Sequence, residues 1–240
     1  MKKSLLITMI LILSIQVLSW SDEFYISFDG PYLKSLPPQA FAQFIDSSGT
    51  RYIHCSFMAE YEPGKIGTDG ECFTFSGNSS SDWYWSNDWV RVPNDILINP
   101  GTSDFGISFW VKTSSTRFNN TVCDKRTNQH YDDGYLVAIY GGKPLLQISS
   151  SSKGWVNYWT NNANAVVNDG KWHNVGIFVT RNSTTGGKIY VDGKCVLTFN
   201  PTRFQNDYIS NNENLYIGRH IANPENNFIG SLDDFHFWKK

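Results

Sequence analysis

Two short stretches interleave aromatic rings with amide and carboxylate side chains: Asp82-Trp83-Tyr84-Trp85-Ser86-Asn87-Asp88-Trp89, and Lys153-Gly154-Trp155-Val156-Asn157-Tyr158-Trp159-Thr160-Asn161-Asn162. Sugar rings have apolar C–H faces edged by hydroxyls, so a flat aromatic platform beside amides and carboxylates suits them. Peptides can use the same chemistry, because Tyr and Trp are also interface anchors. Strand alternation turns half of such rings inward, and Trp83, Trp85, Trp155 and Tyr158 are the rings expected to meet a ligand. A third stretch, Leu232-Asp-Asp-Phe-His-Phe-Trp238, carries a different chemistry. Period-two alternation puts Asp233 on the face of Phe235 and Phe237, where a carboxylate needs a partner because an unpaired buried charge is costly. Calcium, which prefers carboxylate and carbonyl oxygens, is one such partner, and backbone N–H groups of a turn are the other.

Catalytic arrangements fare worse. Glu60 and Glu62 form the one close glutamate pair, and the Pro63-Gly64 that follows points to a solvated loop. The chain has no G-x-S-x-G elbow and no H-E-x-x-H helix. His173, beside Trp172, reads as a strand residue satisfied by a hydrogen bond rather than as a catalytic group. No catalytic residue is nominated.

The elements that must position these residues are strands. From Phe105 onward, short apolar-alternating segments are separated by Gly, Asn, Asp and Ser clusters, the pattern of an all-β sandwich. Strands are expected at Gly106–Lys112, Thr121–Lys125, Tyr135–Tyr140, Pro144–Ser149, Trp172–Arg181, Lys188–Val191, Asn214–Gly218 and Gly230–Trp238. Asp169-Gly170, Asp192-Gly193 and Gly141-Gly142 accept the positive φ of tight turns. The Asp192-Gly193 turn would join Ile189–Val191 to Cys195–Leu197, with Tyr190 on the opposite face to Ile189 and Val191. The N-terminal part suggests strands at Phe24–Phe28, Cys72–Phe75 and Trp89–Val92. Neither a linker nor a repeat interrupts residues 22–240, which read as one domain.

Residues 1–19 read as a signal peptide: Lys2-Lys3, then an apolar run from Leu5 to Val17, then a small-residue exit with cleavage after Ser19 or Ser21. That run is short for a membrane span, so the expected location is extracellular. Aromatic residues make up 15 % and charged residues 18 % of the chain, giving ample core material. The net charge is −2 with basic residues scattered singly, which argues against a nucleic-acid partner or a membrane-binding stripe. Cys55, Cys72, Cys123 and Cys195 form an even set that favours disulfides in an exported chain. Three connectivities are possible; proximity favours Cys55–Cys72 and Cys123–Cys195, the longer loop being worth on the order of 4 kcal/mol. Sequons at Asn78, Asn119 and Asn182 could carry glycans.

Several motifs occur in an order that resembles the laminin-G-like, concanavalin A-like jelly-roll family. They are Tyr25-Ile-Ser-Phe-Asp29-Gly30 with Asp46-Ser-Ser-Gly49, Pro63-Gly-Lys-Ile-Gly67 with Phe73-Thr-Phe75, and Asp104-Phe-Gly-Ile-Ser-Phe-Trp-Val-Lys112. Asp169-Gly-Lys-Trp-His173, Tyr190-Val-Asp-Gly193 and Gly230-Ser-Leu-Asp-Asp-Phe235 complete the series. The resemblance implies a two-sheet antiparallel sandwich in which Trp110 and Trp172 fill the space between the sheets. It also implies a structural calcium between an N-terminal strand and the start of the final one, here Asp29 and Asp233. The E-x-D-x-E strand of the related glucanases is absent. The expected function is therefore a secreted, non-catalytic, lectin-like module recognising glycans or glycoproteins. A protein-binding or structural matrix component is the first alternative, and a divergent glycoside hydrolase the second.

Overall fold

A computed structural model describes residues 22–26, 42–45, 52–55, 60–63, 71–77, 89–127 and 132–240. Within them lie sixteen strands in two sheets, and the ladders are antiparallel. Sheet A runs, edge to edge, β14 (Lys194–Phe199), β13 (Gly187–Val191), β12 (Trp172–Val179), β7 (Phe105–Lys112), β16 (Ile229–Lys239), β5 (Glu71–Ser76) and β4 (Glu60–Pro63). The eighth strand, β1 (Asp22–Ile26), pairs with the C-terminal half of β16, on which Phe24 faces Phe237. Sheet B runs β11 (Gly154–Tyr158), β10 (Lys143–Ser150), β9 (Gly134–Tyr140), β8 (Asn119–Lys125), β15 (Leu215–Ile217), β6 (Val90–Val92), β3 (Tyr52–Cys55) and β2 (Ala42–Ile45).

Alternation explains the core. On β7 the side chains of Phe105, Ile107, Phe109 and Val111 are fully buried, and their partners Val175, Ile177 and Val179 on β12 are buried opposite them. Sheet B answers with Tyr135, Val137 and Ile139 of β9 and Leu146 and Ile148 of β10, all in the same apolar cluster. Phe105 stacks on Phe237 at 6.0 Å, and Phe237 on Tyr135 at 5.5 Å, so rings bridge the two sheets. Each fully buried ring or branched aliphatic contributes roughly 1.5–3 kcal/mol relative to exposure.

The turns carry the chemistry that their sequences demand. Gly141 and Gly142 (φ +54° and +79°) close the β9–β10 hairpin, and Asp192 and Gly193 (φ +49° and +76°) close β13–β14, so both central residues take the left-handed region that tight hairpins need. Ile189 and Val191 are buried while Tyr190 lies half-buried on the other face, as the hairpin pattern predicts.

Three expectations are corrected here. Trp110 and Trp172 do not fill the inter-sheet space. Both are half-buried, and the register places them with Ser108, Lys112 and Asn174 on the outer face of sheet A, because the core positions of these strands belong to Phe109, Val111 and Val175. The Glu60–Glu62 segment is not a loop but β4, paired with β5. The Cys123–Cys195 bridge is not formed: Cys123 is buried in β8 of sheet B, whereas Cys195 is exposed on the edge strand β14 of sheet A. Cys72 is buried on β5, and Cys55 belongs to β3 of the other sheet with its side chain outside the described residues.

Candidate functional site

Strand β11 is an edge of sheet B, bonded only to β10 among the described strands. Its alternation is clean. Val156 packs on the core, and Tyr158, 8 % exposed, stacks on Phe199 at 4.1 Å. Tyr158 therefore faces inward, which corrects its assignment as a ligand-facing ring. Trp155 and Asn157 take the outer face, and Trp159 continues their series past the end of the strand. Both tryptophans are 41 % exposed. Trp159 packs edge-on against Tyr140 (5.4 Å), which packs on Phe118 (4.3 Å), itself 65 % exposed. Four residues of extended chain place the Trp155 and Trp159 α-carbons roughly 13 Å apart.

Behind Asn157, the outer face of sheet B carries a cross-strand row: Asn157, Gln147, Leu136, Asp124, Tyr216 and Arg91 are successive register partners. Hydrogen bonds run along its polar members. Arg126, just past β8, forks onto Asp124 (Nε to Oδ1 2.8 Å, Nη2 to Oδ2 2.7 Å), and both side chains are buried. Asp124 also accepts the Ile221 N–H at 3.2 Å. The remaining fork of Arg126, Nη1, donates to Gln147 Oε1, and Gln147 Nε2 donates to Asn157 Oδ1 at 2.7 Å. A buried ion pair is stable only when its lone pairs and protons are satisfied, and this one is satisfied by a chain that ends at the half-exposed Asn157. Nearby, Arg219 lies over the Tyr216 ring at 5.0 Å and Trp89 meets the same ring edge-on at 5.9 Å.

The outer face of sheet A holds a second aromatic row. Tyr190 meets Phe178 at 5.6 Å, Phe178 meets Trp238 at 5.5 Å, Trp238 meets His236 at 4.8 Å, and His236 meets Tyr25 at 5.3 Å. Gly106 makes the floor beneath Trp238: a Cβ there would lie 2.6 Å from the indole. This row is more enclosed, with Trp238 only 9 % exposed.

Asp233 is buried, but not on the face expected. A bulge between Asp233 and His236, with Asp234 at φ +49°, reverses the alternation: Asp233 pairs with Trp110 on the outer face while Phe235 and Phe237 stay in the core. Its Oδ1 accepts the Asp234 N–H at 2.9 Å, and Asp234 itself accepts from the Tyr25 hydroxyl. Asp29, its expected partner toward calcium, lies outside the described residues, as do Trp83, Trp85 and Asn78. Among the described residues no three His, Cys, Asp or Glu side chains converge as a metal site would require.

His173 is held at both nitrogens, by Asp192 Oδ2 (2.8 Å) and Asp169 Oδ1 (2.9 Å). Burial alone would lower its pKa, but the two carboxylates together raise it, and Asp169 falls to about 2, chiefly through the His173 hydrogen bond. Of the remaining sequons, Asn119 is half-buried at the start of β8 beside a buried Thr121, whereas Asn182 sits exposed in the β12–β13 turn.

Sequence reasoning missed three parts of this picture. Trp159 was legible from its i, i+4 spacing to Trp155, which in a strand means the same face. The Arg126 fork had no sequence signal, because Gln147 and Asn157 reach it only through strand pairing. The sheet A row was not legible because Tyr25, Phe178, Tyr190 and Trp238 come together only through strand pairing.

Residues 85–240 match a laminin-G-type family model described as the concanavalin A-like lectin/glucanases superfamily. No curated protein matches the sequence. Among solved structures, the binding domain of Paraclostridial Mosquitocidal Protein 1 is similar at 15 % identity and a TM-score of 0.64, over 83 % of this chain and 48 % of that one. The receptor binding domain of botulinum neurotoxin D is similar at 16 % identity and a TM-score of 0.58, over 92 % and 49 %. The binding domain of botulinum neurotoxin DC, solved in complex with rat synaptotagmin II, is similar at 19 % identity and 0.56, over 81 % and 45 %. The chain thus spans about half the length of these structures, and the likeness is one of fold.

Proposed function

The chain belongs to the concanavalin A-like lectin/glucanase superfamily, and on that footing we propose that it is a secreted, non-catalytic module that binds glycans or glycoproteins on the outer face of sheet B. The observation that carries this reading is the pair of exposed tryptophans, Trp155 and Trp159, flanking the fixed amide of Asn157 on one face of an edge strand. Indole faces take the C–H faces of sugars, and the amide takes a hydroxyl or carbonyl. The likeness to toxin binding domains supports binding over catalysis. So does the state of Asp124: a glycosidase needs two carboxylates flanking the bond, roughly 5–9.5 Å apart, and Asp124 is buried and taken up by Arg126 and the Ile221 N–H. Secretion is supported by the charged start and apolar run of residues 1–17. A structural calcium at Asp29 and Asp233 belongs to the same proposal; Asp233 brings one buried carboxylate to it. A protein ligand is the second reading, favoured by the aromatic row on sheet A.

A glycan array probed with the purified mature protein, with calcium and again with a chelator, tests this. Selective binding is expected, weakened about tenfold or more by Trp155→Ala and by Trp159→Ala, since losing one stacked ring removes on the order of 1.4 kcal/mol. Loss of binding in chelator would support the calcium. A blank array from folded protein overturns the glycan reading in favour of a protein ligand.

A further inference from the structure

The chain of hydrogen bonds behind Asn157 has a direction, and that direction selects the ligand. A guanidinium has donors and no acceptor, so Arg126 Nη1 can face only the oxygen of the Gln147 amide. That turns Gln147 Nε2 toward Asn157, and Asn157 must present Oδ1 to receive it at 2.7 Å. Asn157 Nδ2 is therefore left as the group aimed away from the row, between the two exposed tryptophans. The setting is anchored from below: Arg126 is clamped by Asp124, and Asp124 by the Ile221 N–H. An amide on a free rotor can flip to serve a donor or an acceptor. This one cannot flip without setting two donors against each other.

Two of the cations nearest Asn157 and Trp155 are paired. Arg126 is neutralised by Asp124, and Lys153, near Trp155 in sequence, is paired with Asp207 at 3.1 Å. The site thus offers a fixed donor flanked by apolar ring faces, with Lys143, across from Tyr140, as the cation on the same outer face. Resting on the glycan reading above, we propose that the ligand is a linear oligosaccharide of N-acetylated amino sugars that spans Trp155 and Trp159. The acetamido carbonyl accepts from Asn157 Nδ2, and the acetamido methyl packs on an indole. A monosaccharide is too short to reach both tryptophans across roughly 13 Å of strand, so affinity rises with chain length.

The test compares two ligands of equal length and linkage, a β-1,4 N-acetylglucosamine trimer and a β-1,4 glucose trimer, by titration calorimetry on the full mature chain. The N-acetylated trimer is expected to bind about tenfold more tightly. Asn157→Asp, which keeps the acceptor for Gln147 and removes the outward donor, is expected to erase that preference; thermal unfolding of the variant sets a titration temperature at which it is folded. Trp155→Ala is expected to weaken both trimers together. Equal binding of the two trimers by the unaltered protein overturns this inference and leaves the glycan reading standing. A preference that survives Asn157→Asp, or tighter binding of a uronic-acid trimer, overturns it as well. Binding of none of them, with a blank array, removes the glycan reading itself.

Discussion

Arg181 offers the sharpest test of how the sandwich is tied together. It lies just past the end of β12, 1 % exposed, and no carboxylate among the described residues pairs with its guanidinium. Its Nη1 donates to the Gly101 carbonyl at 2.8 Å, and its Nη2 to the carbonyls of Phe204 and Asp207, while its own N–H is taken by Asp104 Oδ1 at 2.7 Å. One cation thus gathers the loop before β7 and the short helical turn at Thr202–Phe204. Replacing it with methionine keeps the stem and its packing but leaves three carbonyls without their donor. Each unsatisfied buried acceptor costs about 1–3 kcal/mol, and the gross loss is offset by no longer desolvating a charge, which is also what lowers the Arg181 pKa. With three carbonyls stranded and that offset taken into account, the net loss is roughly 3–5 kcal/mol. For a domain of this size that is about 10 °C in melting temperature. Urea and thermal unfolding of Arg181→Met against the unaltered protein measure it directly. A loss below about 1 kcal/mol, with the slope of the urea transition unchanged, would refute the claim that these carbonyls depend on Arg181.

Further expectations follow from the same geometry. With its pKa raised, His173 contributes stability that is complete below about pH 6.5, its unfolded value, and is lost as pH rises through the higher folded value. Asp169, held at about 2, contributes stability that is lost as pH falls from near 4 toward that value. The melting-temperature gap between the unaltered protein and His173→Gln should be widest near pH 5 and narrow as pH rises above about 6.5; a flat gap would refute the clip. Lys125 is held at about 8 by burial, despite the Asn94, Asn211 and Glu213 oxygens around its ammonium. The unfolded chain therefore binds the extra proton between about pH 8 and 10.4, and stability relative to Lys125→Met should rise across that window. Gly106→Ala puts a methyl against the Trp238 indole and should cost about 1–3 kcal/mol in denaturant titration. Peptide-level alkylation should label the exposed Cys195 in the folded protein and leave Cys123 unlabelled until unfolding, since burial pushes that thiol far up. Protection of Cys195 would mean that it is bridged after all.

The fold was legible because burial and alternation coincide along most strands. Gly106–Lys112 and Tyr135–Tyr140 were located to within one residue of β7 and β9. Trp172–Arg181 overran β12 by two residues, because no Gly, Pro or Asn marks its end in sequence before Asn182, while the strand stops at Val179. The two tryptophans of the D-x-x-x-x-x-W and G-K-W motifs were misread by size: large rings were given to the core, yet parity assigned that place to their neighbours. Asp233 failed for a related reason, since one residue added by a bulge flips every side chain upstream of it. On the outer face of sheet B, composition revealed the aromatic stretch. It did not say which ring faced out, and it could not reveal Arg126, whose role depends on a strand that arrives twenty residues later.

β16 touches three strands at once, and β1 is bonded to it over a separation of roughly two hundred residues. Sheet A therefore cannot close during synthesis until residues 229–239 have appeared, however early Phe24 and Phe75 were made. Contacts this distant in sequence fold slowly, and the half-built sandwich shows its apolar inner face to whatever is nearby. The order of the strands thus makes closure of sheet A a late, single event that waits on β16.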